Sequence, residues 1–163
     1  MVAPSTPTQR IAGTVRRRLI ASDAWWPALL VWLAALSGLW AIALYHDHPP
    51  WHAATWAHWD SGHYVEIARN GYSIHPCGTA LHAKWCGNTA WFPAYPWLMA
   101  GLHSLGLPLL TAGIAVSWLF SAATLVLLWR WFLRDLPAVA AAGGLLYAGW
   151  APGQVYDYAV YPL

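Results

Sequence analysis

The sequence predicts an all-α polytopic membrane protein, and three observations carry that expectation. Of its 163 residues 59% are hydrophobic and only 9% are charged, where a soluble domain carries roughly a quarter charged residues. Long apolar runs recur, each close to the length that crosses a bilayer. The few charges are grouped, with Arg10, Arg16, Arg17 and Arg18 all ahead of the first apolar run. Such a cluster reads as a topology signal rather than as a nucleic-acid surface, and no nucleic-acid partner is expected.

Residues 1–24 form a basic tail containing Pro4 and Pro7. Residues 25–45 form the first transmembrane helix, about 31 Å long at 1.5 Å per residue. A secretory signal has an apolar core of only roughly 7–15 residues, followed by a small-residue cleavage site. Neither feature fits here. Trp25, Trp26 and Tyr45 stand at the ends of the span, where aromatic belts belong. The positive-inside rule keeps the arginine cluster in the cytoplasm, so residues 46–110 lie outside.

That external region is too polar to be a span, and it carries two juxtamembrane helices. The first covers about 60–71. Asp60 is a good N-cap, Gly71 a good residue just past the C-terminus, and Tyr64, Ile67 and Ala68 make an apolar stripe at helical spacing. The second covers about 96–107, beginning near Pro96, a favoured first-turn residue. It is too short and too proline-bounded to cross a membrane. A second span follows at 111–132, with Arg130 and Arg134 at its inner end. Leu136-Pro137 makes the turn, and 137–156 forms a third span rich in Ala and Gly, as helix–helix contacts in membranes prefer. Residues 157–163 return outside. The chain stops at Tyr161-Pro162-Leu163 without a polar tail, which predicts the N-terminal part of a longer protein.

Asp60 is the leading candidate for chemistry. An Asp before a helix is most often only a cap. This one lies in a membrane-surface segment where charge is sparse, and carboxylates there default to functional candidates. A carboxylate at a helix N-terminus is kept ionised by the backbone N–H groups, which suits a general base or a cation ligand. His63 and Tyr64, three and four residues on, reach the same volume. Glu66 shares a face with Asn70 and can pair with Arg69; for these a solvated helix face is the competing reading. Tyr156, Asp157 and Tyr158 return to the same side of the membrane as Asp60.

Cys77 and Cys86 stand nine positions apart in the external loop. A disulfide fits an oxidising compartment, and two free thiols fit equally well. His75, Cys77, His82 and Cys86 do not match the paired spacing of zinc sites, and no H-E-x-x-H motif occurs, so no metal ligands are assigned.

The order of motifs resembles the PIG-V-type mannosyltransferases, relatives of the enzyme that adds the second mannose of glycosylphosphatidylinositol anchors. The resemblance is carried by Trp59-Asp60-Ser61-Gly62-His63-Tyr64, by Ile67-Ala68 with Gly71-Tyr72, and by Trp91-Phe92-Pro93-Ala94-Tyr95-Pro96. It covers what would be the N-terminal portion of a family member. It implies a GT-C architecture with the active site on the outer face, and a bacterial plasma membrane as the location. It implies an inverting transfer of a sugar, usually mannose, from a polyprenyl-phosphate donor to a lipid- or protein-linked acceptor. Asp60 would be the general base, with His63, Tyr64, Glu66 and Tyr95 binding substrate. No cofactor is fixed by the resemblance; a divalent cation is the one candidate. Family members often carry an acidic pair after a Tyr at the outer end of the third span, and here that place reads Tyr161-Pro162-Leu163. The alternative is a non-enzymatic assembly or transport subunit, or an inactive fragment, whose external loop binds a partner or a metal.

Overall fold

A computed structural model describes residues 25–79, 82–150 and 158–159. The basic tail, Tyr156, Asp157 and residues 160–163 lie outside the described residues. Helix α1 (Trp26–Tyr45) has a proline in its first turn and no charged residue. It is apolar on every side, so no stripe distinguishes a core face from an outer one. Helix α4 (Leu109–Leu128) runs on through a π-helical turn at Trp129–Leu133, giving 25 continuous apolar-rich residues. Both helices are long and apolar enough to cross a membrane. Helix α5 (Ala138–Trp150) has 13 described residues, about 20 Å, which alone falls short of a span.

The three apolar helices meet through small residues. A Cβ on Gly149 of α5 would stand 2.6 Å from Val31 Cγ1 on α1, and one on Gly38 of α1 would stand 2.5 Å from the Trp150 ring. The backbones can approach only because those Cβ atoms are missing. One polar tie crosses the same layer: Trp32 Nε1 on α1 donates to Ser121 Oγ on α4 at 2.8 Å. The close approach to α1 is made at Gly149, whereas Ala140, Ala142 and Gly143 of the Ala/Gly-rich segment are exposed.

Between α1 and α4 the chain builds a cap on one end of the bundle. A short 3-10 helix (Ala53–Trp56) leads to α2 (Ser61–Asn70), then to a hairpin, then to α3 (Ala94–Ser104). Helix α3 begins at Ala94 rather than Pro96. Pro96 therefore occupies the first turn, where its missing N–H would have had no intrahelical partner. The helix ends at Ser104, earlier than expected, because Gly106 turns the chain at φ +103.

The hairpin corrects the all-α expectation. Strands β1 (Ile74–Thr79) and β2 (His82–Gly87) pair antiparallel, with Cys77 opposite Lys84 and His75 opposite Cys86. Pro76 and Gly78 disfavour strand in a sequence reading, yet a two-stranded ribbon has only edges, where proline is tolerated. Gly78 takes φ +103. The Cys77–Cys86 disulfide joins diagonal neighbours across the ribbon, with Cα atoms 5.7 Å apart.

The core that unites cap and bundle is aromatic. Trp56 is buried, and its ring meets Trp118 of α4 edge to face at 5.8 Å. Trp40 of α1 approaches Trp118 from another side at 6.4 Å. Tyr64, Tyr95, Met99, Leu109, Ala112 and Val116 complete the same cluster.

Candidate functional site

The cap is tied down by backbone carbonyls caught by side chains. Thr55 Oγ1 donates to Pro49 O at 2.7 Å, and Trp56 Nε1 donates to Pro50 O at 2.8 Å. Pro49 O also accepts from His52 N at 3.0 Å, so the Pro49-Pro50 carbonyls act as the acceptors around which the short helix turns. Trp56 then anchors the short helix in the core, and the chain leaves it towards α2.

The entrance to α2 is a tight turn. Ser61 N donates to His58 O at 3.0 Å, and Ser61 Oγ donates to the same carbonyl. Within the turn Trp59 takes φ +49, a left-handed conformation that costs a bulky residue of the order of 1–3 kcal/mol. Asp60 follows at φ −81, ψ 7. It occupies the N-cap position, and its carbonyl accepts from His63 N at 2.9 Å and Tyr64 N at 3.3 Å. Its carboxylate makes no capping hydrogen bond. This corrects the expectation that capping would hold the carboxylate in place. A side-chain cap needs an extended backbone at that residue, and the turn gives Asp60 a near-helical one. Buried Ser61 takes over the tethering.

The remaining candidates divide between surface and core. Asp60 is half-buried at the edge of the face that α2 packs inward. His63 is exposed and lies flat against Trp91, with ring centroids 4.0 Å apart and planes inclined at 24°. Tyr64 is buried and meets Tyr95 edge to face at 5.2 Å. Glu66 and Arg69 are both exposed, and the ion pair formed among the described residues is Arg134–Asp135 instead. That pair sits at the solvent-facing surface, where such contacts contribute little.

Tyr95 is a brace between α3 and α4. Its hydroxyl lies 3.0 Å from Gly113 O and 3.0 Å from Ser117 Oγ. Ser117 Oγ in turn donates to Ala159 O at 2.7 Å, and Trp118 Nε1 donates to Tyr158 O at 3.0 Å. These bonds bring residues 158–159 back onto α4 beside the cap. Burial pushes the Tyr95 phenol up to about 12, a rise that the Ser117 hydrogen bond opposes. At neutral pH it is a hydrogen-bonding alcohol held by protein groups.

Asn88 fixes the hairpin to the end of α2. Its Oδ1 accepts from Ser73 N at 2.8 Å, its Nδ2 donates to Gly71 O at 3.3 Å, and its own N–H donates to Ser73 O at 3.2 Å. Gly71 ends α2 at φ +78. Nearby, Tyr72 Oη donates to Trp91 O at 2.7 Å. The two sequence motifs, 59–72 and 91–96, are thereby joined face to face. The structure brings together Asp60, His63 and Tyr64 on the start of α2 and Trp91 and Tyr95 on the segment opposite. It leaves Glu66 outside that group.

Asn88 is not singled out from sequence, and Ser61 and Trp91 stand there only as motif residues without a role. A buried Asn bonding two loop backbones carries no periodic signal, and a stacking partner for His63 is visible only once the chain is folded. The His75, Cys77, His82 and Cys86 set cannot act as a metal site while both sulfurs are in the disulfide. Comparison of the chain with models of known protein families, with curated proteins and with solved structures finds no match in any of the three.

Proposed function

We propose that the chain serves a membrane glycosyl transfer that takes a sugar, mannose in the first instance, from a polyprenyl-phosphate donor. The observation that carries the reading is Asp60. Its backbone is fixed by the turn and by α2, and its carboxylate is left without a capping bond. A fixed, half-buried carboxylate with acceptor capacity is what a general base requires.

In the proposed step the acceptor hydroxyl oxygen attacks the anomeric carbon from the face opposite the phosphate. The carbon–oxygen bond to phosphate breaks, and polyprenyl phosphate leaves with the bonding pair. Asp60 takes the hydroxyl proton as the new glycosidic bond forms, and the anomeric configuration inverts. The His63–Trp91 stack beside it offers an aromatic wall for positioning the acceptor. Tyr64 and Tyr95 act from beneath, by holding α2 against α3.

The arginine cluster before α1 supports a cytoplasmic tail and an outward cap, because such clusters favour the cytoplasmic side. The Cys77–Cys86 disulfide supports an outward cap, because such bonds persist in oxidising compartments. A second reading, an assembly subunit that docks a partner, draws on the exposed Ile74 and Trp85 of the hairpin. The two are separated by incubating membranes that contain the protein with radiolabelled polyprenyl-phosphate mannose. Label passing to an acceptor, above the level in membranes lacking the protein, supports the enzyme; no transfer with any lipid or peptide acceptor favours the subunit.

A further inference from the structure

A groove of about 300 Å³ opens where α1 ends, on the side of the cap formed by the chain before α2. Its lower wall is apolar, from Leu39, Ile42 and Ala43 in the last turns of α1. Its upper wall carries three of the eight histidines in the chain: His46, His48 and His58. Two separate segments deliver them. Asp47 takes φ +59 after α1, and His48 N donates back to Ala43 O at 2.9 Å, which folds His48 against the helix end. The Pro49-Pro50 carbonyls then turn the chain through the 3-10 helix, and His58 Nε2 donates to Thr55 O at 2.8 Å.

We propose that this groove binds the phosphate headgroup of an anionic lipid whose chains lie along α1. Among the described residues no Asp, Glu, Lys or Arg lines it, so its polar chemistry is that of imidazole. Neutral His46 and His48 each offer one N–H donor, whereas His58 already gives its Nε2–H to Thr55 O and has Nδ1–H to offer only as the imidazolium. His46, His48 and His58 are the titratable groups that line the groove. Asp47 lies between two of them in sequence but is not part of the lining. The carbonyls of Ile42, Ala43 and Leu44 near the end of α1 are hydrogen bonded by the N–H groups of His46, Asp47 and His48, so these three do not stand as open acceptors against an anion.

The apolar wall decides between sources of phosphate. A free phosphate gains nothing from Leu39 and Ile42, whereas a lipid places its headgroup at the end of an apolar helix and its chains beside it. Ile42 is 55% exposed in the chain alone, so that surface is open to such a chain. A metal is disfavoured by the same geometry. Among the described residues no three His, Cys, Asp or Glu side chains are placed to hold one. The inference needs only that α1 crosses the membrane. It stands whether or not Asp60 acts as the base in a sugar transfer.

The test is native mass spectrometry of the purified protein in detergent, with phosphatidylglycerol, phosphatidylcholine and inorganic phosphate as probes. Phosphatidylglycerol is expected to bind in preference to phosphatidylcholine and to inorganic phosphate. The triple variant His46→Gln, His48→Gln, His58→Gln is expected to bind about tenfold more weakly or worse, the scale of one lost charge-assisted hydrogen bond. The hairpin variant His75→Gln, His82→Gln is expected to bind as the parent does. Each single groove variant changes an exposed side chain, so it serves if the triple variant does not fold. Asp60→Asn is expected to bind lipid normally, which separates this site from the transfer reaction. Undiminished retention of phosphatidylglycerol by the groove variants would overturn the proposal. So would displacement of the lipid by inorganic phosphate, which would mark a free-anion site.

Discussion

His63 lies flat on Trp91, with ring centroids 4.0 Å apart and planes inclined at 24°. This contact joins the start of α2 to the loop before α3, and the Tyr72 hydroxyl reinforces it by donating to the carbonyl of the same Trp91. Trp91→Ala removes the ring and keeps the carbonyl. The expected result is a loss of about 0.5–1.5 kcal/mol from the stack, plus the burial that the half-buried ring contributes. Thermal unfolding in detergent reads this directly. His63→Phe, which restores an aromatic face, is expected to keep most of the stability that His63→Ala loses.

Tyr95 sets an alkaline limit on the fold. Its phenol is raised to about 12 in the folded chain by burial, against about 10 when exposed. The protonated form is the one the fold favours. Its contribution is therefore complete below pH 10 and declines as pH rises from about 10 through about 12, by roughly 2–3 kcal/mol in all. Tyr95→Phe abolishes that decline. It costs about 1–2 kcal/mol at neutral pH, because Gly113 O and Ser117 lose a partner. Tyrosinate absorbance followed alongside unfolding measures both effects.

Gly149 and Val31 are matched in size. Gly149→Ala brings a Cβ within 2.6 Å of Val31 Cγ1, so α1 and α5 must separate or Val31 must shift. The expected loss is about 1–3 kcal/mol. Adding Val31→Ala makes room and is expected to recover much of it. A double-mutant cycle with near-zero coupling would show that the two helices do not meet there.

Orientation can be read with a thiol reagent that does not cross membranes. Ser73 is exposed, and its links to Asn88 use Ser73 backbone atoms alone. Ser73→Cys therefore presents a thiol without breaking the hairpin anchor. Labelling of intact cells is expected. Labelling that requires lysis would place the cap in the cytoplasm and remove the setting for an outer-face reaction.

The apolar helices were legible because composition and length alone specify them: α1 and α4 fall within a few residues of the expected spans at 25–45 and 111–132. α2 was legible because Tyr64 and Ile67 repeat at helical spacing and Gly71 marks its end. The hairpin was not. Its strands are six residues each, broken by Pro76 and Gly78, and they are held by a long-range clamp from Asn88 and by a disulfide that spacing alone left open. The sequence singles out Asp60 by type and place alone, and its surroundings differ from those expected. A cap was expected to hold the carboxylate, whereas the left-handed φ of Trp59 and the Ser61–His58 bond set the turn. Positive φ at a tryptophan leaves no trace in a sequence.

The central claim is that the Asp60 carboxylate removes a proton during sugar transfer, and the direct measurement is the rate of transfer by Asp60→Asn. The substitution keeps size and polarity and alters no capping bond, because the carboxylate makes none. The rate from radiolabelled polyprenyl-phosphate mannose is predicted to fall by about 10²–10⁴-fold, with the protein inserted in the membrane at its normal level. Transfer within a few-fold of the parent rate would contradict the assignment of Asp60 as the base.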